Sequence, residues 1–112
     1  MKNTLIAFLL IFSIKLSAQT EKIYQINGVE RKAIFFEPKL NSEKIPVVFV
    51  FHGQGGNAKH ASRNLNFHQN FPDALVIYKQ GIPGVTNFIV GKEGKYNGWQ
   101  MNPDELQHRD VK

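Results

Sequence analysis

The sequence predicts an α/β fold: an antiparallel hairpin followed by a βαβ unit. Three observations point there. "YQINGVERKAIFF" places an Asn27-Gly28 turn signal between two arms rich in β-branched and aromatic residues. "VVFVF", residues 47–51, and "ALVIY", residues 74–78, are apolar runs without polar alternation. Between those runs lie a glycine-rich loop and a polar stretch of helical length.

The chain opens with "MKNTLIAFLLIFSIKLSAQT". Lys2 supplies a positive start, Leu5 to Ile14 an apolar stretch broken only by Ser13, and Ala18 a small residue before Gln19. This is the pattern of a secretory signal peptide. A membrane-spanning helix needs about 18 or more apolar residues, and Lys15 ends the run too early for a stable membrane anchor. No cysteine follows to take a lipid. The expectation is a signal peptide over residues 1–18, cleaved near Ala18, and a secreted or periplasmic protein over residues 19–112. The full chain has 112 residues, room for one small domain.

In the hairpin, a short strand covers Ile23 to Ile26 and a return strand covers Val29 to Phe36. Asn27-Gly28 suits a turn in which both central residues take positive φ. "KLNSEKIP" is a polar loop. "VVFVF" reads as a strand buried on both faces, as in a covered parallel sheet. "AKHASRNLNFHQN" is long enough for about three helical turns, with Ala61, Leu65 and His68 near one face. "ALVIY" is the second buried strand. Residues 79–99 are loop-rich, with glycines, a proline and the aromatics Phe88, Tyr96 and Trp99, a composition suited to a surface loop carrying binding groups. Asn102-Pro103 marks a turn or helix start, and Asp110 is placed to cap a further helix.

Composition removes several functions. The net charge is +5, and two of the basic residues, Lys2 and Lys15, leave with the signal. The remaining bases are scattered, without the clusters interleaved with aromatics that nucleic-acid binding needs. There is no cysteine, so no disulfide, thiol nucleophile or Cys-based zinc site. His60 and His68 are eight apart, whereas helical zinc pairs usually stand four apart. Neither a metal nor a cofactor is expected. Asp104 and Glu105 are adjacent and point apart, unlike the carboxylates that flank a glycosidic bond. His108, beside Asp104 and Asp110, reads as a solvated polar cluster.

"VFVFHGQGGNA" carries the chemistry. Glycines let a backbone approach a ligand closely and take positive φ. N–H groups freed in this way converge on one spot, and donors aimed at developing negative charge stabilise a transition state. A phosphate cradle would need Gly-x-x-x-x-Gly-Lys-Ser/Thr or Gly-x-Gly-x-x-Gly. Gly53, Gly55 and Gly56 are too closely spaced for either. The competing reading is a tight strand-to-helix turn with glycines for steric reasons alone.

"PVVFVFHGQGGNA", "ALVIYKQGIPG", "YNGWQ" and "RDVK", in that order, resemble the N-terminal half of a secreted α/β-hydrolase esterase, the feruloyl esterase and polyhydroxybutyrate depolymerase-like family. The resemblance covers roughly residues 24 to 112. It implies the N-terminal part of an α/β-hydrolase sheet, incomplete, with the hairpin as strands one and two, "VVFVF" as strand three and "ALVIY" as strand four. The loop after strand three would supply one oxyanion-hole N–H, at Gln54, and the residue after the nucleophile the other. His52 would be a structural histidine supporting that loop together with Gly53, Gly55 and Gly56. Tyr96 and Trp99 would lie on the substrate side. The implied partner is an ester substrate of plant cell-wall or polyester origin.

The departure from the family is as informative. Its nucleophile sits in Gly-x-Ser-x-Gly, with acid and histidine later in the chain, and this sequence has no such motif. Beyond the signal segment the serines are Ser42, in a polar loop, and Ser62, inside the expected helix. The nucleophile, acid and base are therefore expected beyond Lys112, and this chain alone is expected to be inactive. The nucleophile strand would pair with strand three, so without it "VVFVF" is an apolar edge prone to association. The alternative function is a small exported domain binding carbohydrate or a surface through Tyr96 and Trp99.

Overall fold

A computed structural model describes residues 19–85, 93–100 and 110. The expected signal peptide, Phe88, Asn102-Pro103, Asp104, Glu105 and His108 lie outside the described residues.

The chain builds a four-stranded mixed sheet, with helices on one face. Strands β1 (Gln19–Ile26) and β2 (Val29–Phe36) form the antiparallel hairpin, in register from Ile26↔Val29 to Gln19↔Phe36. Asn27 and Gly28 take φ of 53° and 77°, the double positive φ that a two-residue turn of this hand requires. The first arm is longer than expected. It starts at Gln19 rather than Ile23, because the ladder with β2 continues to the end of that strand.

β3 (Val47–Phe51) and β4 (Leu75–Lys79) are parallel, in register from Val47↔Leu75 to Phe51↔Lys79. β4 also pairs antiparallel with β2, giving the order β1-β2-β4-β3. The connection between β3 and β4 runs through α1 (Ala58–Leu65) and α2 (Phe67–Asn70). One helix of three turns was expected. Asn66 takes left-handed φ (54°), which ends α1 and starts α2. Asn tolerates that conformation better than most residues. Asn57 caps α1, its side chain accepting the His60 N–H at 2.7 Å.

The core lies between the helices and one sheet face: Ile34 and Phe36 of β2, Val50 of β3, Val76 and Tyr78 of β4, and Ala58 and Ala61 of α1, with Ala74. β4 meets the expectation for a strand buried on both faces, since Val76, Ile77 and Tyr78 are all buried. β3 does not. Val48 and Val50 face the helices, but Val47, Phe49 and Phe51 are 49%, 57% and 57% exposed. A covered strand and a half-covered one both read as unbroken apolar runs, and among the described residues β3 is the end strand of the sheet. Leu65 is exposed too, because the helix breaks at the next residue. A short second ladder pairs β5 (Ile82–Pro83) with β6 (Asn97–Gly98).

Candidate functional site

The parallel strand β3 ends by delivering His52 and the Gly53–Gly56 turn to the carboxyl edge of the sheet. The Gly56 N–H donates to Gly53 O at 3.0 Å. Gly55, third residue of that turn, has φ 77°, which is the pattern of a type II turn and needs glycine there.

His52 is buried and holds the turn through both ring nitrogens. Nε2 accepts the Gly81 N–H at 2.9 Å and faces Gln80 Nε2 at 3.3 Å. With donors against Nε2, the proton sits on Nδ1, which donates to Gly53 O at 2.7 Å. Among the described residues no ring nitrogen of His52 remains to activate a nucleophile. Its geometry is that of a scaffold.

The chain after β4 grips the other end of the turn. Gln80 Oε1 accepts the Ala58 N–H at 2.9 Å, occupying one of the unpaired donors at the start of α1. Its Nε2 donates to Gly81 O at 2.7 Å. Gly81 must be glycine, since an added Cβ would lie 2.7 Å from Gly98 O and 3.1 Å from the His52 ring. Asn97 closes the turn from above. Its carbonyl accepts the Gly55 N–H at 2.7 Å, and its Nδ2 donates to Gly56 O at 3.0 Å. Gly98 lies against the Gln54 side chain, whose Nε2 is buried without a partner.

The amides of Gly55 and Gly56 are thus spoken for. The Gln54 N–H forms no hydrogen bond among the described residues. Of these three turn amides, it is the one left to meet a ligand.

The two aromatic candidates separate. Tyr96 is 49% exposed, and its ring edge would lie 3.8 Å from a Cβ at Gly55. It therefore stands beside the turn, open to solvent. Trp99 is engaged instead: Nε1 donates to His52 O at 2.8 Å, and its ring meets Phe51 edge-on with centroids 4.9 Å apart. Its indole holds backbone in place.

The remaining candidates are dispersed. Ser62 is buried in α1 with its hydroxyl donating to Lys59 O at 2.9 Å. Ser42 lies in an exposed loop. His60, on α1, takes a bond from Asn64 Nδ2 at 2.6 Å. His68, on α2, stacks on Phe36 with centroids 3.7 Å apart and shares a hydrogen bond with Tyr78 Oη at 3.0 Å. Burial lowers the His68 pKa. Among the described residues no three His, Asp or Glu side chains group as metal ligands would, and no helix is long and apolar enough to cross a membrane. Asp110 pairs with Arg31; the helix it is expected to cap lies outside the described residues.

Sequence reasoning assigned no role to Gln80, Gly81, Asn97 or Gly98. The strings "KQG" and "YNGW" contain them, but only the fold shows that both segments converge on His52. No protein-family model matches the chain, and no curated protein matches it.

Proposed function

We propose that the chain is the N-terminal part of a secreted serine esterase of the α/β-hydrolase type, acting on carboxylic esters of feruloyl, acetyl-sugar or polyhydroxyalkanoate kind. The observation that carries this reading is the place of β3. It is the end strand of the sheet, with its apolar outer edge unpaired among the described residues, and it terminates in the turn that leaves the Gln54 N–H uncommitted. A nucleophile strand adding beside β3 would bring its serine to the same carboxyl edge as Gln54.

The mechanism is acyl transfer. A serine beyond Lys112 attacks the ester carbonyl, and a histidine, also beyond Lys112, takes its proton and returns it to the leaving alcohol. The Gln54 N–H and the N–H after the nucleophile receive the oxyanion. Loss of one such donor typically lowers kcat by about 10²–10³. His52, Gly81 and Asn97 fix the turn before substrate arrives, so the donor does not reorganise during reaction.

A second reading is a carbohydrate- or surface-binding domain. Tyr96, with its exposed ring, favours it; Trp99, bound to His52 and Phe51, does not. A fluorophosphonate probe on the full-length secreted parent separates the two. Covalent labelling of a serine is the expected result, and an unlabelled, folded protein that binds sugar would replace the esterase reading with the second.

A further inference from the structure

Arg31 projects from β2 with its side chain 14% exposed, and Asp110 faces it at 11%. Arg31 Nη2 donates to Asp110 Oδ1. The second carboxylate oxygen accepts the Gln100 N–H at 2.6 Å, and the Asp110 N–H donates to Gln100 Oε1 at 3.2 Å. Residue 110 is therefore tied to the sheet by charge and to residue 100 by a reciprocal pair of bonds.

Gln100 directly follows Trp99 and β6. The β5–β6 ladder is only two residues long on each side, and a two-stranded ribbon of that size is marginal without other support. Its position has to be set at its ends. Asn97 holds one end to Gly55 and Gly56. Gln100 holds the other to Asp110, and so to β2. The register closes the circuit. Ala33 pairs with Lys79, and the Gln80 N–H donates to Lys32 O at 3.0 Å. Counting on, Arg31 stands level with Gly81, whose N–H holds the His52 ring.

We propose that the Arg31–Asp110 ion pair anchors the strap Asn97–Gln100 and thereby positions the His52–Gln54 turn. Both are positioning residues, acting through Gln100 and Trp99. Arg31 Nη1 is buried without a partner, and Arg31 makes no second ion pair among the described residues, so the tie to β2 rests on Asp110. When the carboxylate is removed, the strap loses its tie to β2 through Gln100 and Asp110. The consequence for the Gln54 donor rests on the esterase reading; the anchoring itself does not.

Trp99 is the sole tryptophan, so its indole N–H gives one side-chain signal. The experiment is native-state hydrogen exchange of that proton in the full chain, alongside the Val76 backbone amide as a monitor of global opening. Asp110→Asn is expected to speed indole exchange by about tenfold, the upper range for losing one hydrogen bond's net contribution, with a smaller change at Val76. Gln100→Ala, which removes one acceptor and leaves the ion pair and core intact, is expected to give the same pattern at about threefold. It serves as the test if Asp110→Asn does not fold. Unchanged indole exchange in the folded variants, or equal acceleration at Trp99 and Val76, overturns the proposal. Either result leaves the esterase reading to be judged by the serine probe.

Discussion

The indole Nε1 of Trp99 donates to the carbonyl of His52 at 2.8 Å, while the imidazole of the same His52 takes the Gly81 N–H at 2.9 Å. One residue at the end of β3 is thus held by its main chain from one segment and by its ring from another. The turn bearing Gln54 follows immediately, and its placement depends on both attachments.

Trp99→Phe keeps an aromatic ring against Phe51 but leaves the His52 carbonyl without its donor. A lost hydrogen bond with a partly buried acceptor costs about 1–2 kcal/mol. The urea midpoint followed by far-ultraviolet circular dichroism is expected to fall accordingly. An unchanged midpoint would mean that the turn is held without this bond.

Glycine substitutions should rank by what the new Cβ meets. At Gly81 it would strike a backbone carbonyl and the His52 ring, neither of which can move away easily, so Gly81→Ala is expected to cost about 2–3 kcal/mol. At Gly98 it meets the end of the Gln54 side chain, which has some freedom, and about 1 kcal/mol is expected. At Gly53 nothing lies within 4 Å and φ is not in the left-handed region, so Gly53→Ala should stay within about 0.5 kcal/mol. Thermal or urea unfolding of the three variants checks the order.

Stability should decline at acid pH through His68. Its ordinary pKa is 6.5, and burial between Phe36 and Tyr78 lowers it in the folded state. As pH falls below about 6.5, the unfolded chain takes up the proton first. Stability is therefore full above that pH and is lost progressively below it, until folded His68 also protonates. Tyr78, raised by desolvation above its ordinary 10.0, acts at the other end, where the unfolded chain ionises first as pH rises past about 10. Denaturation midpoints against pH, with His68→Phe as comparison, should lose the acid slope in the variant and retain the alkaline one.

Much of this fold was legible in the sequence because local rules carry it. Asn27-Gly28 determines the hairpin whatever surrounds it, and Asn57 caps α1 by its own side chain. The runs at residues 47–51 and 74–78 announced buried strands, but not which would be covered on both faces. That depends on strand order: among the described residues β4 has neighbours on both sides and β3 on one. Asn66 looked like one more polar helix residue, and its left-handed conformation shows only in space. At the site, "HGQGGN" was visible as a turn of special geometry, whereas Gln80, Gly81, Asn97 and Arg31 act over sequence distances of 22 to 79 residues. No spacing rule reaches that far.

The uncovered side of β3 should govern solution behaviour. Phe49 and Phe51 lie exposed on an end strand that has no charged side chain between Val47 and Phe51, the kind of edge that pairs with other chains. Residues 19–112 alone are expected to self-associate as concentration rises in sedimentation velocity. Phe49→Lys should shift that equilibrium toward monomer. A wild-type monomer with a sharp thermal transition would count against an open β3.

We propose above that these residues form the first half of a serine-esterase fold whose nucleophile adds beside β3. Reading the coding sequence downstream of the Lys112 codon tests it most directly. An open frame with Gly-x-Ser-x-Gly one helix and one strand further on, within roughly 20 to 30 residues, is the expected result. A stop codon directly after Lys112, or an open frame without that motif, would contradict it.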